Sequence, residues 1–372
     1  MKITDLTVAR YDVKLAVPDL SVGRETLVVQ VHTDEGVTGT GFMFVNISRY
    51  GTTGDLSAAL LRRQYRELLL GQDPLRTEDL WRRLYQSTWR SVRGRFGLHA
   101  LSAVDIALWD LKGRYFNVPV CDLLGGRRER IPTYCTSGFH MSPEKLGEAV
   151  EKIAKAGHKA VKIRASFPAV SLKEATARVR CVREAIGPDV KLMVDVNGTW
   201  DAETAIQQLK AWEPYDVYWL EEPVPVEDIP GYVRVRRRSG HTLIAGGENH
   251  AGVFEFRQLI EQGAVDVAQP NHAVTGGLTD WLRINSYAAA HGVPVSPWQL
   301  AEVNLHTAAA FPNVMWIEYV APRSELHGEQ LFRLPVFREQ RTDVGVFLLP
   351  PELPGFGLAL DEAAAERLRI QE

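Results

Sequence analysis

Residues 191–249 read KLMVDVNGTWDAETAIQQLKAWEPYDVYWLEEPVPVEDIPGYVRVRRRSGHTLIAGGEN, and three short apolar runs within them stop on the same kind of residue. Asp195 ends the first in Val194-Asp195-Val196-Asn197, Glu221 the second in Leu220-Glu221-Glu222-Pro223, and Glu248 the third in Gly246-Gly247-Glu248-Asn249. The spacings are 26 and 27 residues, the length of a strand plus a helix, and the amphipathic stretch 202–212 supplies the first intervening helix. Strands that alternate with helices lie parallel, so the three carboxylates fall at one end of one sheet.

Outward from this block the rhythm continues. Strand candidates at 131–135, 159–164, 191–196, 217–220, 243–246, 265–268, 293–296 and 314–317 alternate with amphipathic stretches such as 143–155, 172–186, 253–261 and 278–291. Eight strands in about 190 residues suit a closed (β/α) barrel of the α/β class, with the acidic residues on its C-terminal rim. An open doubly wound sheet competes, but no GxGxxG or GxxxxGK[ST] follows an early strand. The first ~50 residues instead alternate apolar and polar around an Asp34-Glu35-Gly36 turn, which predicts antiparallel sheet, and 98–110 has the i, i+3, i+4, i+7 spacing of a helix. We therefore expect an α+β unit over 1–125, closed off by Gly125-Gly126, the barrel over 126–320, and a C-terminal segment over 321–372.

Composition narrows the function. The chain has 372 residues with 45% hydrophobic content, enough for a large core, and 43 Lys plus Arg against 46 Asp plus Glu leave no basic footprint for nucleic acid. Cys121, Cys135 and Cys181 are odd in number and form no CxxC, which argues against a disulfide framework or a thiolate zinc site. The N-terminus lacks an apolar leader, and no apolar run reaches the ~18 residues of a membrane span. The expectation is a cytoplasmic homo-oligomer whose partner is a small molecule, neither nucleic acid nor membrane. Acidic residues often follow strands as helix caps, but three in matching register favour a metal site, and hard oxygen ligands suit Mg²⁺ or Mn²⁺ far better than zinc.

In order and spacing these motifs resemble those of the enolase superfamily, and within it the mandelate racemase-like subgroup, along nearly the whole chain. The segment Asp105-Ile106-Ala107-Leu108-Trp109-Asp110-Leu111-Lys112-Gly113 is similar to the family's helix at the junction of cap and barrel. The resemblance implies an N-terminal α+β cap, completed by the C-terminal segment packing on it, over a (β/α)₇β barrel. It implies Mg²⁺, with Mn²⁺ as an alternative, held by Asp195, Glu221 and Glu248, and a carboxylate substrate that loses its α-proton. Glu318, in Trp316-Ile317-Glu318-Tyr319, matches the family's acid that hydrogen-bonds the substrate carboxylate. The chemistry is coherent, because an enediolate dianion needs a cation against its oxygens before a side-chain base can form it at a useful rate.

The departures are as informative. Where the subgroup often has Lys-x-Lys, this chain reads Val161-Lys162-Ile163-Arg164, and an always-charged arginine is a clamp for oxyanions rather than a base. Where the subgroup uses an Asp-His pair from the sixth and seventh strands, the chain has Gln269-Pro270-Asn271 and Val295-Ser296-Pro297-Trp298. Mandelate-type racemisation, which needs a base on each face, is disfavoured. A sugar acid dehydratase yielding a 2-keto-3-deoxy acid ranks first. A cycloisomerase, racemase or epimerase with relocated bases follows, then a metal-binding relic or regulatory protein without turnover. The candidate catalytic residues are Lys162, either a base with its pKa lowered by the Arg164 guanidinium or a fixed positive charge, together with Arg164, Glu318, and the rim histidines His250 and His272, each of which could equally be a surface loop residue. His140, after the first strand, is weaker. Candidate substrate contacts are Asn197, Asn271 and Trp298 at strand ends, and Asn46 and Tyr50, with Val22, Phe44 and Arg49, in cap loops at 16–23 and 42–54.

Overall fold

The computed structural model describes residues 1–13, 24–46, 52–90, 92, 94–138, 141–166, 170–320, 331–333 and 338–371. Strands β1 (Ile3–Val13), β2 (Arg24–Thr33) and β3 (Thr38–Asn46) form an antiparallel sheet in chain order. Its β2–β3 turn places Gly36 at φ 77°, where a side chain would be strained. Helix Arg95–Phe116 packs on this sheet, and the approach is close because β3 carries glycine there: a Cβ on Gly41 would stand 2.1 Å from the Ala103 carbonyl oxygen. Leu27, Val29, Val31, Met43, Leu101, Val104 and Leu108 fill the core between them.

After residue 130 the alternation becomes a barrel. Strands β4 (Ile131–Ser137), β5 (Ala160–Arg164), β6 (Lys191–Asp195), β7 (Val217–Glu221), β8 (Leu243–Gly246) and β9 (Val267–Ala268) pair in order, all parallel. The ring continues through single bridges from Ala268 to Val295 and from Val295 to Val314, and β10 (Ile317–Tyr319) closes it in parallel on β4. The seventh expected strand has shrunk to the Val295 bridge because Pro294 and Pro297 flank it and neither can donate to a ladder. The last strand begins at Ile317, where a strand over 314–317 was expected, so Glu318 lies inside it rather than after it. Tyr134, Ala160, Met193, Trp219, Ala245 and Val267 plug the barrel interior below the rim, with Tyr134 edge-on to Trp219 at 5.1 Å.

The C-terminal segment divides, which corrects the expectation that all of it packs on the cap. β10 pairs only with Thr133–Cys135, leaving the start of β4 open. A hairpin of β11 (Glu339–Thr342) and β12 (Gly345–Leu348) takes that edge antiparallel, Leu348 against Ile131. The following stretch does reach the cap: Phe356 N–H donates to Asp110 Oδ1 at 2.8 Å, and Arg369 bridges to Tyr11 beyond helix Glu362–Leu368. Among the described residues no helix is long and apolar enough to cross a membrane.

Candidate active site

A strand's side chains alternate, so Ala160, Lys162 and Arg164 of β5 all face the barrel axis. Ala160 belongs to the plug, Lys162 sits above it and Arg164 reaches the rim. Register then sets the neighbours: Arg164 lies beside Asp195, and Asp195 beside Glu221. Glu248 follows two residues beyond β8. Ligand oxygens of Asp195, Glu221 and Glu248 all fall within 4.8 Å of one another, and all three side chains are buried.

Two backbone kinks turn these carboxylates inward. Asn197 at φ 47° and Glu222 at φ 45° are left-handed non-glycine residues just past Asp195 and Glu221, a conformation that costs about 1 kcal/mol or more each. The kinks are used. Asn197 N–H donates to Asp195 Oδ1 at 2.7 Å and its amide to Glu248 Oε1 at 2.8 Å, while Asn249 donates to Glu222 Oε2 at 2.8 Å and Gln269 to Glu221 Oε2 at 2.9 Å. Asn197, expected as a substrate contact, orients these carboxylates through its backbone N–H and side-chain amide.

Lys162 is 1% exposed, with Nζ 2.8 Å from Glu221 Oε1 and 3.0 Å from Glu318 Oε1. Burial works against its charge, but the Glu221 and Glu318 carboxylates outweigh burial and hold its pKa well above the ordinary lysine value. The expected lowering by Arg164 is not found, because the guanidinium turns to Asp195, Nε to Oδ2 at 4.0 Å. In the metal-free protein Lys162 is thus held as an ammonium. Glu318 is itself held, accepting from Thr136 Oγ1 at 2.5 Å and from Gln299 N–H at 2.9 Å.

The layer is short of positive charge. Among the described residues, the ion pairs made to Asp195, Glu221, Glu222, Glu248 and Glu318 come from Lys162 and Arg164. Burial, reinforced by neighbouring carboxylates, pushes Glu221 up to about 7 and Glu222 up to about 8, and Glu248 well above the carboxylate range. Glu248 Oε2 is buried with no hydrogen-bond partner among the described residues. An oxygen-only donor set with surplus negative charge and an orphaned oxygen is what a hard divalent cation satisfies, so Asp195, Glu221 and Glu248 fit magnesium.

Among the described residues, the strand ends opposite β5 carry Gln269, Asn271, Ser296 and Trp298, none of them titratable. Asn271 donates to the Trp298 carbonyl at 3.2 Å and accepts from Ala273 N–H at 2.7 Å, a bracket that closes the loop after β9. The two histidines proposed for the rim are buried and not surface residues. His250 is buried edge-on to Tyr232 and Phe256, which pushes it down to about 4. His272 stacks on Trp281 at 4.9 Å with Nδ1 against Asn304 Oδ1, and burial pushes it down to about 3. Sequence position showed only that both follow strands; the packing of neighbouring helices over them decides their role. His140, Val22, Arg49 and Tyr50 and the Asn46 side chain lie outside the described residues.

Between the rim and the cap lies a cavity of about 390 Å³, walled by Met43, Phe44 and His99 from the cap and by Glu248, Asn249 and Trp298 from the barrel. Trp298, expected as a substrate contact, lines this cavity with its ring 5.9 Å from that of Phe44. Glu222, Asn249 and His99 were missed. The first two adjoin motif residues, a signal that was available; His99 sits inside a helical run whose apolar periodicity hides it.

Comparison with known proteins agrees with this geometry. Residues 3–125 match the mandelate racemase / muconate lactonizing enzyme N-terminal domain, and residues 145–364 match the enolase C-terminal domain-like family. A D-galactarolactone cycloisomerase of Agrobacterium fabrum is 31% identical over 100% of both chains. An L-talarate/galactarate dehydratase of Salmonella typhimurium is 32% identical over 82% of this chain and 75% of its own. The structure of a racemase from Streptomyces coelicolor with bound magnesium superposes with TM-score 0.88 at 28% identity, covering 99% of this chain and 100% of that one. The chain belongs to the enolase superfamily, in its mandelate racemase and muconate lactonizing enzyme branch.

Proposed function

We propose that the protein is a magnesium-dependent eliminase of sugar acids, a dehydratase converting a polyhydroxylated carboxylate into a 2-keto-3-deoxy acid. The observation that carries this reading is the meeting of Asp195, Glu221 and Glu248 within 4.8 Å, next to Lys162 and Arg164. Magnesium held by these carboxylates would supply a Lewis acid against the substrate's carboxylate oxygens. Arg164 adds fixed positive charge on the β5 side, where negative charge grows on the substrate as its α-proton leaves. Glu318 orients Lys162 and is oriented in turn by Thr136 and Gln299. Gln269, Asn271, Ser296 and Trp298 offer no titratable group on the far arc, so proton transfer is assigned to the β5 face: with a divalent cation offsetting the Glu221 charge that now holds its proton, Lys162 would be neutral, take the α-proton and return it to the departing 3-hydroxyl, which leaves as water. One-faced elimination suits such a site; racemisation does not.

A second reading has its own support. Opening a lactone expels a carboxylate, which leaves without a proton, so a far arc lacking an acid also suits a lactone cycloisomerase, the activity named for the relative similar over the whole chain. One experiment tests both. Aldonic and aldaric acids and their lactones are incubated with the protein and Mg²⁺ or Mn²⁺, and products are weighed by mass spectrometry. Dehydration gives a keto acid lighter than its substrate by one water; cycloisomerisation gives one of unchanged mass. If no member of the panel shows metal-dependent turnover or deuterium uptake from solvent at C2, the proposal fails.

A further inference from the structure

The cap wall of the cavity contains two polar atoms with nothing to bind. Ser57 Oγ, on helix Thr52–Ala59, and His99 Nε2, on helix Arg95–Phe116, are buried and have no hydrogen-bond partner among the described residues, and both residues line the 390 Å³ cavity. Glu248 Oε2 is a third such atom on the same cavity, at its barrel end. Buried polar atoms are nearly always satisfied; the cation accounts for Glu248 Oε2, and the two orphans on the cap wall call for a polar group on a ligand that reaches them. The volume falls in the range of small-molecule sites.

We propose that His99 Nε2, assisted by Ser57 Oγ, is a specificity contact that hydrogen-bonds a hydroxyl on the substrate's chain beyond the reacting C2–C3 unit. The inference rests on the sugar-acid reading above and extends it to the end of the substrate remote from the metal carboxylates. The cavity runs from Glu248 to the cap, so a molecule whose carboxylate lies at the acidic cluster directs its chain towards His99. Burial and the nearby Arg95 charge push His99 down to about 3, which keeps the imidazole neutral. A neutral ring donates to or accepts from a hydroxyl. Arg95, at the same wall, has Nη2 on Asn249 Oδ1 at 2.6 Å, and Asn249 in turn holds Glu222 and Glu248, so that charge is directed at the acidic cluster. The ligand class is a sugar acid or its lactone, read at this end by a hydroxyl group. A residue on a long, well-packed helix fixes such a contact more firmly than a loop does.

The test compares a long ligand with a short one on the magnesium-loaded full chain by titration calorimetry. The long probe is whichever of D-galactonate, D-gluconate and L-rhamnonate the wild type binds most tightly; the short probe is lactate, which fills only the metal end. His99→Leu should raise the Kd of the aldonate about tenfold, the worth of one neutral hydrogen bond, and leave those of lactate and Mg²⁺ unchanged. His99→Gln, which keeps a polar tip, should recover part of the loss. Ser57→Ala should act in the same direction and serves alone if His99→Leu does not fold. An aldonate affinity untouched by these variants, or a loss shared equally by lactate, overturns the inference while the proposed function stands. A wild type that binds Mg²⁺ and none of the three aldonates overturns the inference alone, since the proposed function falls only with the turnover panel of aldonates, aldarates and lactones.

Discussion

Lys162 is a buried charge whose sign of action depends on its neighbours. An ammonium above an aromatic plug would ordinarily shed its proton, yet Glu221 and Glu318 hold it. Lys162→Met should therefore leave two buried carboxylates uncompensated and destabilise the metal-free protein by about 3–5 kcal/mol, measured by urea denaturation in EDTA. A value near zero would mean the pair is not formed. Arg164→Met is expected to act differently, since its guanidinium stands 4.0 Å from Asp195 at the edge of the substrate space. Loss of a charge-assisted contact to the developing oxyanion should lower kcat/KM by about 10² to 10³, about 3–4 kcal/mol, with Mg²⁺ affinity little changed. The positions of both residues were legible in the sequence, because strand alternation and the β5 motif give them directly. The direction of the Lys162 shift was not legible, because it is set by Glu318, which only closure of the barrel brings to it.

Helix Arg95–Phe116 ties three layers together through two buried acids. Asp105 accepts from Thr279 N–H at 2.8 Å and Thr279 Oγ1 at 2.6 Å, fastening the helix to the barrel. Asp110 accepts from Thr40 N–H and from Phe356 N–H, both at 2.8 Å, and from Arg114, fastening cap sheet and C-terminal segment at one point. The motif 105–113, read as a junction from resemblance, acquires its physical reason here: each acid satisfies backbone donors of a different element. Asp110→Ala should orphan two buried N–H groups and cost about 2–4 kcal/mol in urea denaturation, whereas Asp122→Ala, a half-exposed ion-pair partner of Arg127, should cost under ~1 kcal/mol. Equal losses would remove Asp110 from this role. At this scale the repeated βα units were legible from periodicity. The β11–β12 hairpin was not, because its partner is the stub of β4 that β10 leaves open, a long-range event with no local sign.

Across the molecule, the cap closes over a cluster of carboxylates that it helps to desolvate, and this couples metal, proton and stability. Glu221 at about 7 and Glu222 at about 8 lie above the ordinary value of 4.5, so the folded metal-free protein keeps protons that the unfolded chain has already released. Their contribution to stability is complete below about pH 4.5 and is lost as pH rises through 7 to 8. The metal-free protein should accordingly lose thermal stability between pH 6 and pH 9. Added Mg²⁺ should restore it, because the cation takes over the charge that the protons were neutralising. Binding must then expel protons, on the order of one per ion near pH 7, and Mg²⁺ affinity should rise with pH over the same window. Titration calorimetry in two buffers of different ionisation enthalpy reads the proton release directly. Glu221→Gln, with no proton to give up and one ligand fewer, should bind Mg²⁺ more weakly and release less. Binding that releases no proton and keeps one affinity from pH 6 to pH 9 would mean the carboxylates are already ionised in the folded state, and the charge imbalance assigned to this cluster would be wrong.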